Sequence, residues 1–224
     1  MKKKLTVVVI IIFILTIFLF IKNQLDYDKQ LILVCFGNSL SAGHGAIIPK
    51  VDDKDNSYPA FLQKKINYNI INAGVTGDTT EQGLARINED VLSKNPHIVI
   101  IELGANDLFQ GIPLAETMKN LQSIISLLNN NKRIIYLVKF YNEPIAREWL
   151  KMFQIDNNDD QTQIIHQYDD MFDSLIKQNE IILIEGIWEG VWGIHMSDEV
   201  HPNASGYEIM AENILKYLNM NIIK

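Results

Sequence analysis

Short apolar runs alternate along this chain with segments of helical periodicity, and this alternation limits the possible folds more than any other feature. Five apolar runs are predicted to be strands buried on both faces: Leu31–Phe36, Tyr68–Asn72, Ile98–Leu103, Ile134–Val138 and Ile181–Ile184. Helical patterns lie between and after them, at Tyr58–Ile66, Thr80–Leu92, Leu114–Leu128, Thr162–Ile176 and Ala204–Leu218. This order predicts βαβ units, and therefore an α/β fold with a five-stranded parallel sheet.

The loops that follow the strands are the expected place for a functional site. In an open parallel sheet, the crevice that binds ligands lies outside the carboxyl ends of the strands. The first strand is followed by Gly37-Asn38-Ser39-Leu40-Ser41, and the second by Ala73-Gly74-Val75-Thr76-Gly77-Asp78. The third is followed by Gly104-Ala105-Asn106-Asp107. We expect any chemistry to be concentrated in these three loops.

Ser39 is the candidate nucleophile, because Gly37 allows a sharp turn that brings the hydroxyl to the crevice. A serine hydroxyl needs an adjacent base, and His201 in the loop before the last helix is the candidate. Asp198 lies three residues before His201, a spacing at which a carboxylate can hold one nitrogen of the imidazole. The alternatives remain that Ser39 only caps a turn and that Asp198 and His201 form a loop pair without function.

Acyl transfer also requires donors for the developing oxyanion. Gly77 can present its backbone N–H to a substrate, because no side chain blocks it. Asn106 can direct its side-chain amide into the same space. Each is an ordinary turn residue when taken alone, but their occurrence at successive strand ends, with Ser39 and His201, favours a serine hydrolase.

Charge and cysteine content exclude several other classes of protein. The net charge is −7, and four of the basic residues, Lys2–Lys4 and Lys22, belong to the N-terminal segment. The rest of the chain is therefore strongly acidic and lacks the basic surface of a nucleic-acid binder. The single cysteine, Cys35, excludes an intrachain disulfide and a C-x-x-C site.

The histidines do not indicate a metal site. No two of them have the spacing of metal ligands on one helix, and His44, His97 and His166 are predicted to be structural or surface residues. His195 is a weaker candidate base than His201, because three residues upstream it has Trp192 and no aspartate.

The first 22 residues have the character of a membrane segment. Three lysines precede an apolar run from Leu5 to Ile21, which as a helix is about 25 Å long and just sufficient to cross a bilayer core of about 30 Å. No small-residue cleavage site follows. We predict that residues 1–22 are an uncleaved signal anchor, that 23–30 are a linker, and that the domain of residues 31–224 lies outside the cytoplasm on a single-pass membrane protein. The alternative is a cleaved signal peptide and a secreted or periplasmic protein.

These motifs resemble those of the SGNH hydrolases, also called the GDSL lipase/esterase superfamily. The four residues of the name correspond to Ser39, Gly77, Asn106 and His201. The segments 72–86 and 102–107 are similar to the bacterial thioesterase I/arylesterase/lysophospholipase group. The resemblance extends from about Leu31 to Leu218, so residues 31–224 are expected to be one SGNH-type hydrolase domain.

The resemblance implies a three-layer α/β/α sandwich of the flavodoxin-like type. It also implies that Ser39 attacks, that His201 is the base and that Asp198 orients it. The oxyanion hole would consist of the backbone N–H groups of Ser39 and Gly77 with the side chain of Asn106. No metal and no organic cofactor are implied.

One motif departs from the family pattern. Gly-Asp-Ser-Leu is Gly37-Asn38-Ser39-Leu40 here, so an amide replaces a carboxylate beside the nucleophile. The replaced aspartate is not the triad acid, and catalysis is expected to survive with altered local hydrogen bonding.

Aromatic residues near the strand ends are candidates for an acyl pocket. In related enzymes a loop after the fourth strand touches substrate, so Phe140 and Tyr141 are the preferred substrate-binding residues over Trp149, Trp188 and Trp192. Ordinary core packing is the alternative for all of them.

The expected function is hydrolysis of acyl esters, with lysophospholipid, aryl or thioester substrates, by a monomer that contacts the membrane through its N-terminal helix. A deacetylase of cell-envelope carbohydrates is the alternative among enzymes. An inactive, membrane-tethered binding module is a third reading, and the complete set of site residues argues against it.

Overall fold

A five-stranded parallel sheet forms the centre of the fold. The computed structural model describes residues 13, 15–19, 31–129, 133–155 and 161–222. The strands are β1 (Ile32–Gly37), β2 (Asn69–Gly74), β3 (Ile98–Glu102), β4 (Ile134–Val138) and β5 (Ile182–Ile184). Their order across the sheet is β2-β1-β3-β4-β5, and every neighbouring pair is parallel. The five predicted strands and the parallel sheet are confirmed, with ends that shift by one or two residues.

The helices follow the strands in the predicted alternation. They are α1 (Ser39–Ala42), α2 (Tyr58–Lys65), α3 (Thr80–Asp90), α4 (Ala105–Phe109), α5 (Leu114–Leu128), α6 (Glu143–Met152), α7 (Gln161–Gln178) and α8 (Ala204–Ile222). Short 3₁₀ helices occur at Lys54–Asn56 and Leu92–Lys94. Helix α2 packs on α8, while α5 packs on both α3 and α7, so the sheet lies between two rows of helices. The expected three-layer α/β/α sandwich is therefore confirmed.

Apolar side chains of the strands form the core on both faces of the sheet. Val34, Cys35 and Phe36 of β1 are fully buried, as are Ile100 and Ile101 of β3. A strand with helices on both sides must be apolar along its whole length, which explains the continuous apolar runs in the sequence. Cys35 is thus a core residue.

Three short helices at the carboxyl edge of the sheet were not predicted. Helices α1 and α4 are single turns, and α6 is a helix of ten residues. The start of α6 has two ordinary signals, since Asn142 accepts a hydrogen bond from Ile145 N–H and Pro144 lies in the first turn. The last helix also continues beyond the predicted Leu218, to Ile222.

The N-terminal segment forms a unit separate from the domain that begins at Ile32. Residues 13 and 15–19 are helical, and the hydroxyl of Thr16 donates to the carbonyl of Phe13 over 2.8 Å. Most of the predicted signal anchor at 1–22, and all of the linker at 23–30, lie outside the described residues. Within the part of the chain that is described, no helix has both the length and the apolar character needed to cross a membrane.

We predict that Asp107 is a major contributor to the stability of the domain. Its buried carboxylate accepts hydrogen bonds from Thr80 N–H and from the hydroxyls of Thr80 and Thr117. It thereby joins the start of α3 to α4 and α5. Asp107→Ala leaves these buried donors without a partner, and should lower the free energy of unfolding by roughly 2–4 kcal/mol.

Urea denaturation followed by circular dichroism measures this loss. Asp170→Ala, at an exposed position of α7, is the matched control and should change the free energy of unfolding by less than about 0.5 kcal/mol. An Asp107→Ala protein as stable as this control would show that the three hydrogen bonds contribute nothing net.

Candidate active site

Ser39 lies in the first turn after β1, where a side chain on Gly37 would collide with Ser41 and Glu102. The carbonyl oxygen of Asn38 begins α1, and its side-chain Oδ1 accepts the Leu40 N–H over 3.2 Å. Gly43 ends the helix in the left-handed region, with φ of 74°. The turn therefore presents Ser39, which is 9% exposed, at the carboxyl end of the central strands.

His201 is brought to Ser39 by the loop between β5 and α8. Its Nε2 lies 3.0 Å from Ser39 Oγ, and its Nδ1 lies 2.8 Å from Asp198 Oδ2. Asp198 Oδ1 also accepts the backbone N–H groups of Val200 and His201, at 2.9 Å and 2.8 Å. A carboxylate can only accept, so the proton of a neutral His201 resides on Nδ1. Nε2 is then free to accept the proton of Ser39.

The electrostatic environment favours the charge states that this arrangement needs. Burial lowers the pKa of His201, and the nearby His44 lowers it further. The Asp198 carboxylate raises this pKa, but the net shift is downward. Burial alone would raise the pKa of Asp198, but the hydrogen bonds from Val200 and His201 outweigh it and the net direction is also downward. Asp198 is therefore a carboxylate and His201 a neutral imidazole at neutral pH.

The two predicted oxyanion residues lie in the neighbouring loops. Asn106 borders the pocket beside Ser39, and its Nδ2 donates to the carbonyl of Asp78 over 2.9 Å. Gly77, the residue before Asp78, has φ of +88°, and a Cβ placed there would meet no atom within 4 Å. Asn106 is thus tied to the Gly77 loop, which remains open to approaching molecules. One hydrogen of the Asn106 amide is left for another acceptor.

Arg86 of α3 connects the loops that carry Ser39 and Gly77. Its guanidinium donates to the carbonyls of Gly37 and Ala73, at 3.0 Å and 2.8 Å, and to the carboxylate of Asp78 at 2.5 Å. It also lies over the ring of Phe36, 4.5 Å from the centroid. A planar guanidinium can satisfy several acceptors at once. Arg86 therefore fixes the relative position of the two loops.

A buried acid lies beneath the nucleophile turn. Glu102, at the end of β3, is 1% exposed. Its Oε2 accepts the Asn38 N–H at 3.3 Å and the Ser41 hydroxyl at 3.2 Å. Burial raises the pKa of Glu102 to about 8, with these hydrogen bonds acting in the opposite direction. A neutral carboxyl thus supports the turn at neutral pH.

An apolar pocket of about 290 Å³ adjoins Ser39 and His201. Its wall consists largely of aromatic side chains from four segments: Phe109, Phe140, Trp149, Phe153 and Trp188. The ring of Phe109 stacks on that of Phe153 with centroids 4.3 Å apart, and meets Trp149 edge-on at 5.2 Å. The site therefore combines a hydroxyl–imidazole pair with a surface suited to an apolar group.

The two predicted substrate-binding residues are placed differently. Phe140 lines the pocket beside Ser39, whereas Tyr141 borders a separate small cavity between α6 and α7. The hydroxyl of Tyr141 donates to Asp169 Oδ1 over 2.8 Å, so this side chain is used in packing against α7. The structure thus places Tyr141 outside the lining of the pocket beside Ser39, and a role for it in substrate binding stays a prediction.

Sequence analysis ranks some pocket residues lower and misses others: Trp149 and Trp188 were the less preferred candidates, and Phe109 and Phe153 were not predicted. Trp149 and Phe153 reach the pocket through α6, and the helix-start signal at Asn142–Pro144 could have located that helix. His44 was predicted to be structural or on the surface, but its ring centroid lies 4.5 Å from that of His201. His97, in contrast, accepts the Ile32 N–H at the amino end of β1 and is structural, as predicted.

Comparison with known proteins agrees with this geometry. A model of the GDSL-like Lipase/Acylhydrolase family matches residues 35–209. The chain belongs to this family. The matched GDSL-like segment contains the β1 turn, the Gly77 loop, Asn106 and His201, and family membership makes the chain a hydrolase of carboxylic esters.

Relatives of this GDSL-like hydrolase are named as esterases. It is 27% identical over 201 residues to an arylesterase of Vibrio mimicus, a match that covers 83% of this chain and 89% of that protein. It is 25% identical over 190 residues to esterase TesA of Pseudomonas aeruginosa, covering 81% and 85% of the two chains. The crystal structure of TesA superposes with a TM-score of 0.68 at 26% identity, over 85% of this chain and 99% of that one.

A further solved structure is AlinE4, an esterase of the SGNH-hydrolase family. It matches with a TM-score of 0.57 at 30% identity, over 87% of this chain and 97% of that one. The resemblance inferred from the motifs is therefore confirmed for the family and for the fold.

We predict that Arg86→Lys lowers turnover while leaving the Michaelis constant nearly unchanged. Lysine keeps the charge but cannot reach Gly37, Ala73 and Asp78 together, so the two loops lose their fixed separation. Misplacement of this kind should lower kcat by about tenfold or more. Steady-state kinetics with a p-nitrophenyl ester measures the effect.

Arg147→Lys is the matched control, since Arg147 pairs with Glu143 on the exposed side of α6. It should retain kcat within about twofold. If Arg86→Lys lowered the melting temperature but left kcat at the control value, Arg86 would support the fold and not the positions of the loops.

Proposed function

We propose that this protein is a serine esterase that hydrolyses acyl esters through an acyl-enzyme on Ser39, with His201 as the base and Asp198 as the carboxylate that orients it. The observation that carries the proposal is the line of hydrogen bonds from Ser39 through His201 to Asp198, at 3.0 Å and 2.8 Å, beside an apolar pocket. A hydroxyl activated by an oriented imidazole is the arrangement that acyl transfer requires.

The reaction has two half-steps that return every group to its starting state. Ser39 Oγ attacks the acyl carbon and its proton passes to His201 Nε2, which gives the proton to the departing alcohol or thiol. Water then attacks the acyl-enzyme, losing a proton to His201, and the bond to Ser39 Oγ breaks as that proton returns. The products are a carboxylic acid and free enzyme.

Stabilisation of the tetrahedral oxyanion is assigned to three donors. They are the backbone N–H groups of Ser39 and Gly77 and the side-chain amide of Asn106. The assignment is supported by the position of Asn106 on the pocket wall and by the open space above Gly77. The bond from Asn106 to the Asp78 carbonyl holds the amide in place before substrate arrives, which is what an effective donor needs.

The pocket supports an acyl group larger than acetyl as the substrate's apolar part. Its volume of about 290 Å³ and its aromatic wall favour medium-length acyl chains. Each methylene that it buries contributes about 0.8 kcal/mol. We infer that amphiphilic esters, among them lysophospholipids and aryl or thioesters, are better substrates than acetylated carbohydrates of the cell envelope.

Replacement of Ser39 or His201 by alanine should abolish ester hydrolysis while the protein remains folded. The double variant should be little worse than either single one, because the two residues act as one unit. Hydrolysis of p-nitrophenyl butyrate by the full chain measures activity, and circular dichroism checks the fold.

Ser41→Ala, two residues from the nucleophile, is the informative comparison. Ser41 Oγ contacts Glu102 and Tyr58 rather than His201, so this variant should keep measurable turnover and still be labelled by an organophosphonate. Substantial turnover by Ser39→Ala, or phosphonylation at a different serine, would remove Ser39 from its proposed role.

Acyl-chain preference should depend on Phe153, which is 39% exposed at the pocket rim. For the unaltered protein, two added methylenes should raise kcat/KM by about tenfold until the pocket is full. Phe153→Ala removes the ring that stacks on Phe109 and opens the rim, so the optimum should move to longer chains. A series of p-nitrophenyl esters from acetate to laurate measures this.

Met152→Ala is the control, because Met152 is exposed on the same helix but does not border the pocket. Its chain-length optimum should equal that of the unaltered protein. If acetate were the best ester, and an acetylated xylan were cleaved faster than lysophosphatidylcholine, the protein would be a carbohydrate deacetylase and the proposed preference for amphiphilic acyl esters would be wrong.

We also propose that residues 1–22 anchor the protein in the cell membrane with the domain outside the cytoplasm. Support comes from the sequence, where Lys2–Lys4 precede the apolar run from Leu5 to Ile21. Cell fractionation should recover the intact chain with the membrane, and protease added from outside should digest the domain. A soluble protein whose N-terminus begins after residue 22 would show cleavage instead.

A further inference from the structure

A second histidine–carboxylate pair lies against the ring of His201. His44 Nδ1 is 2.6 Å from Asp52 Oδ1, and the His44 ring centroid is 4.5 Å from that of His201, with the planes inclined at 58°. His44 belongs to the loop after α1, in the same part of the chain as Ser39. The two imidazoles therefore form a contact between the loop of the nucleophile and the loop of the base.

Several bonds hold His44 in this place. Asp52 Oδ1 also accepts the hydroxyl of Thr76 over 2.7 Å, and Thr76 directly precedes Gly77. The Tyr207 hydroxyl of α8 donates to the His44 carbonyl over 2.8 Å. His44 and Asp52 are further joined as an isolated antiparallel bridge. The ring is thus anchored from three loops or helices, and its side chain is only 15% exposed.

We propose that His44, held by Asp52, is a positioning residue that fixes the ring of His201 and, in its protonated form, opposes protonation of His201. The inference rests on the proposed role of His201 as the base. Nothing in the proposed acyl-transfer steps requires His44 to touch the substrate, so it acts through His201 alone.

The ring contact adds a second restraint on His201 besides its hydrogen bonds to Asp198. Asp198 holds Nδ1 through hydrogen bonds but leaves the ring free to tilt about that end. The neighbouring ring of His44 limits this tilt, and Nε2 stays directed at Ser39 Oγ. Orientation of this kind matters because a displacement of about 1 Å can lower turnover by as much as a hundredfold.

Charge provides the second part of the coupling. A positive group close to His201 disfavours its imidazolium form and lowers its pKa, whereas the carboxylates of Asp52 and Asp198 act in the opposite direction. Asp52 itself has a pKa lowered from its ordinary value: burial raises it, and hydrogen bonds from Thr76 and His44 with the charges of His44 and Lys54 outweigh the burial. Tyr207 of α8 is another titratable side chain at this contact, and burial raises its pKa well above its ordinary value.

Two substitutions of His44 distinguish the effect of its ring contact with His201 from the effect of its positive charge. His44→Gln keeps an N–H that can donate to Asp52, but removes the ring and the positive form. His44→Phe keeps a ring against His201 and removes the positive form. His166→Gln, at an exposed position of α7, is the matched control.

The expected results differ between the two variants. His201 must be neutral to act as base, so the acid limb of the pH profile of kcat/KM reports its pKa. Loss of the positive neighbour raises that pKa, and both variants should move the limb to higher pH by about half a unit or more. At the high-pH plateau, His44→Phe should keep kcat within about twofold, while His44→Gln should lose roughly five- to tenfold.

NMR titration of the His201 ring, assigned with His201→Ala, gives a readout that does not depend on activity. The His201 midpoint should rise in both His44 variants and stay unchanged in His166→Gln. This titration tests the contact even if the protein proves inactive, and so separates failure of this proposal from failure of the esterase proposal. An unchanged His201 midpoint in both His44 variants, or equal loss of plateau kcat in the two, would overturn it.

Discussion

Three chain segments meet closely at the carboxyl end of β1, where Gly37 and Gly74 leave no space for a Cβ, and the site depends on this close approach. A Cβ on Gly37 would lie 2.2 Å from Ser41 Oγ and 2.7 Å from Glu102 Oε2. A Cβ on Gly74 would lie 2.4 Å from the backbone nitrogen of Ala42. Only glycine allows α1 to pack directly on the ends of β1 and β2. That packing sets where Ser39 stands relative to the Gly77 loop.

The same crowding explains why an amide is acceptable beside the nucleophile. Asn38 is 1% exposed and its backbone N–H donates to the buried carboxyl of Glu102. Its Oδ1 caps α1, a task for which an amide oxygen serves as well as a carboxylate. Asn38 therefore preserves the cap without placing a charge beside the buried Glu102 carboxyl.

The sheet and the long helices could be predicted from the sequence, because buried apolar runs and helical spacing are local signals. Ser39, His201 and Asp198, which the structure joins by hydrogen bonds, could be singled out because they are polar residues in loops that follow strands. Features that depend on packing between distant segments were missed. His44 is 157 positions from His201 by their numbers, and no local pattern predicts that their rings touch. For Phe140 and Tyr141, no sequence pattern could tell which of two adjacent side chains faces the pocket beside Ser39.

The aromatic wall of the pocket also determines the source of the protein's intrinsic tryptophan fluorescence. The chain has three tryptophans, and they form one cluster in which Trp149 meets Trp188 and Trp192 at centroid distances of 5.8 Å and 5.7 Å. Two of the three border the cavity beside Ser39. Tryptophan fluorescence of this protein therefore arises from one cluster beside this pocket and not from scattered positions. Binding of a molecule in the pocket should therefore change the tryptophan emission spectrum, so that occupancy can be followed without an attached dye.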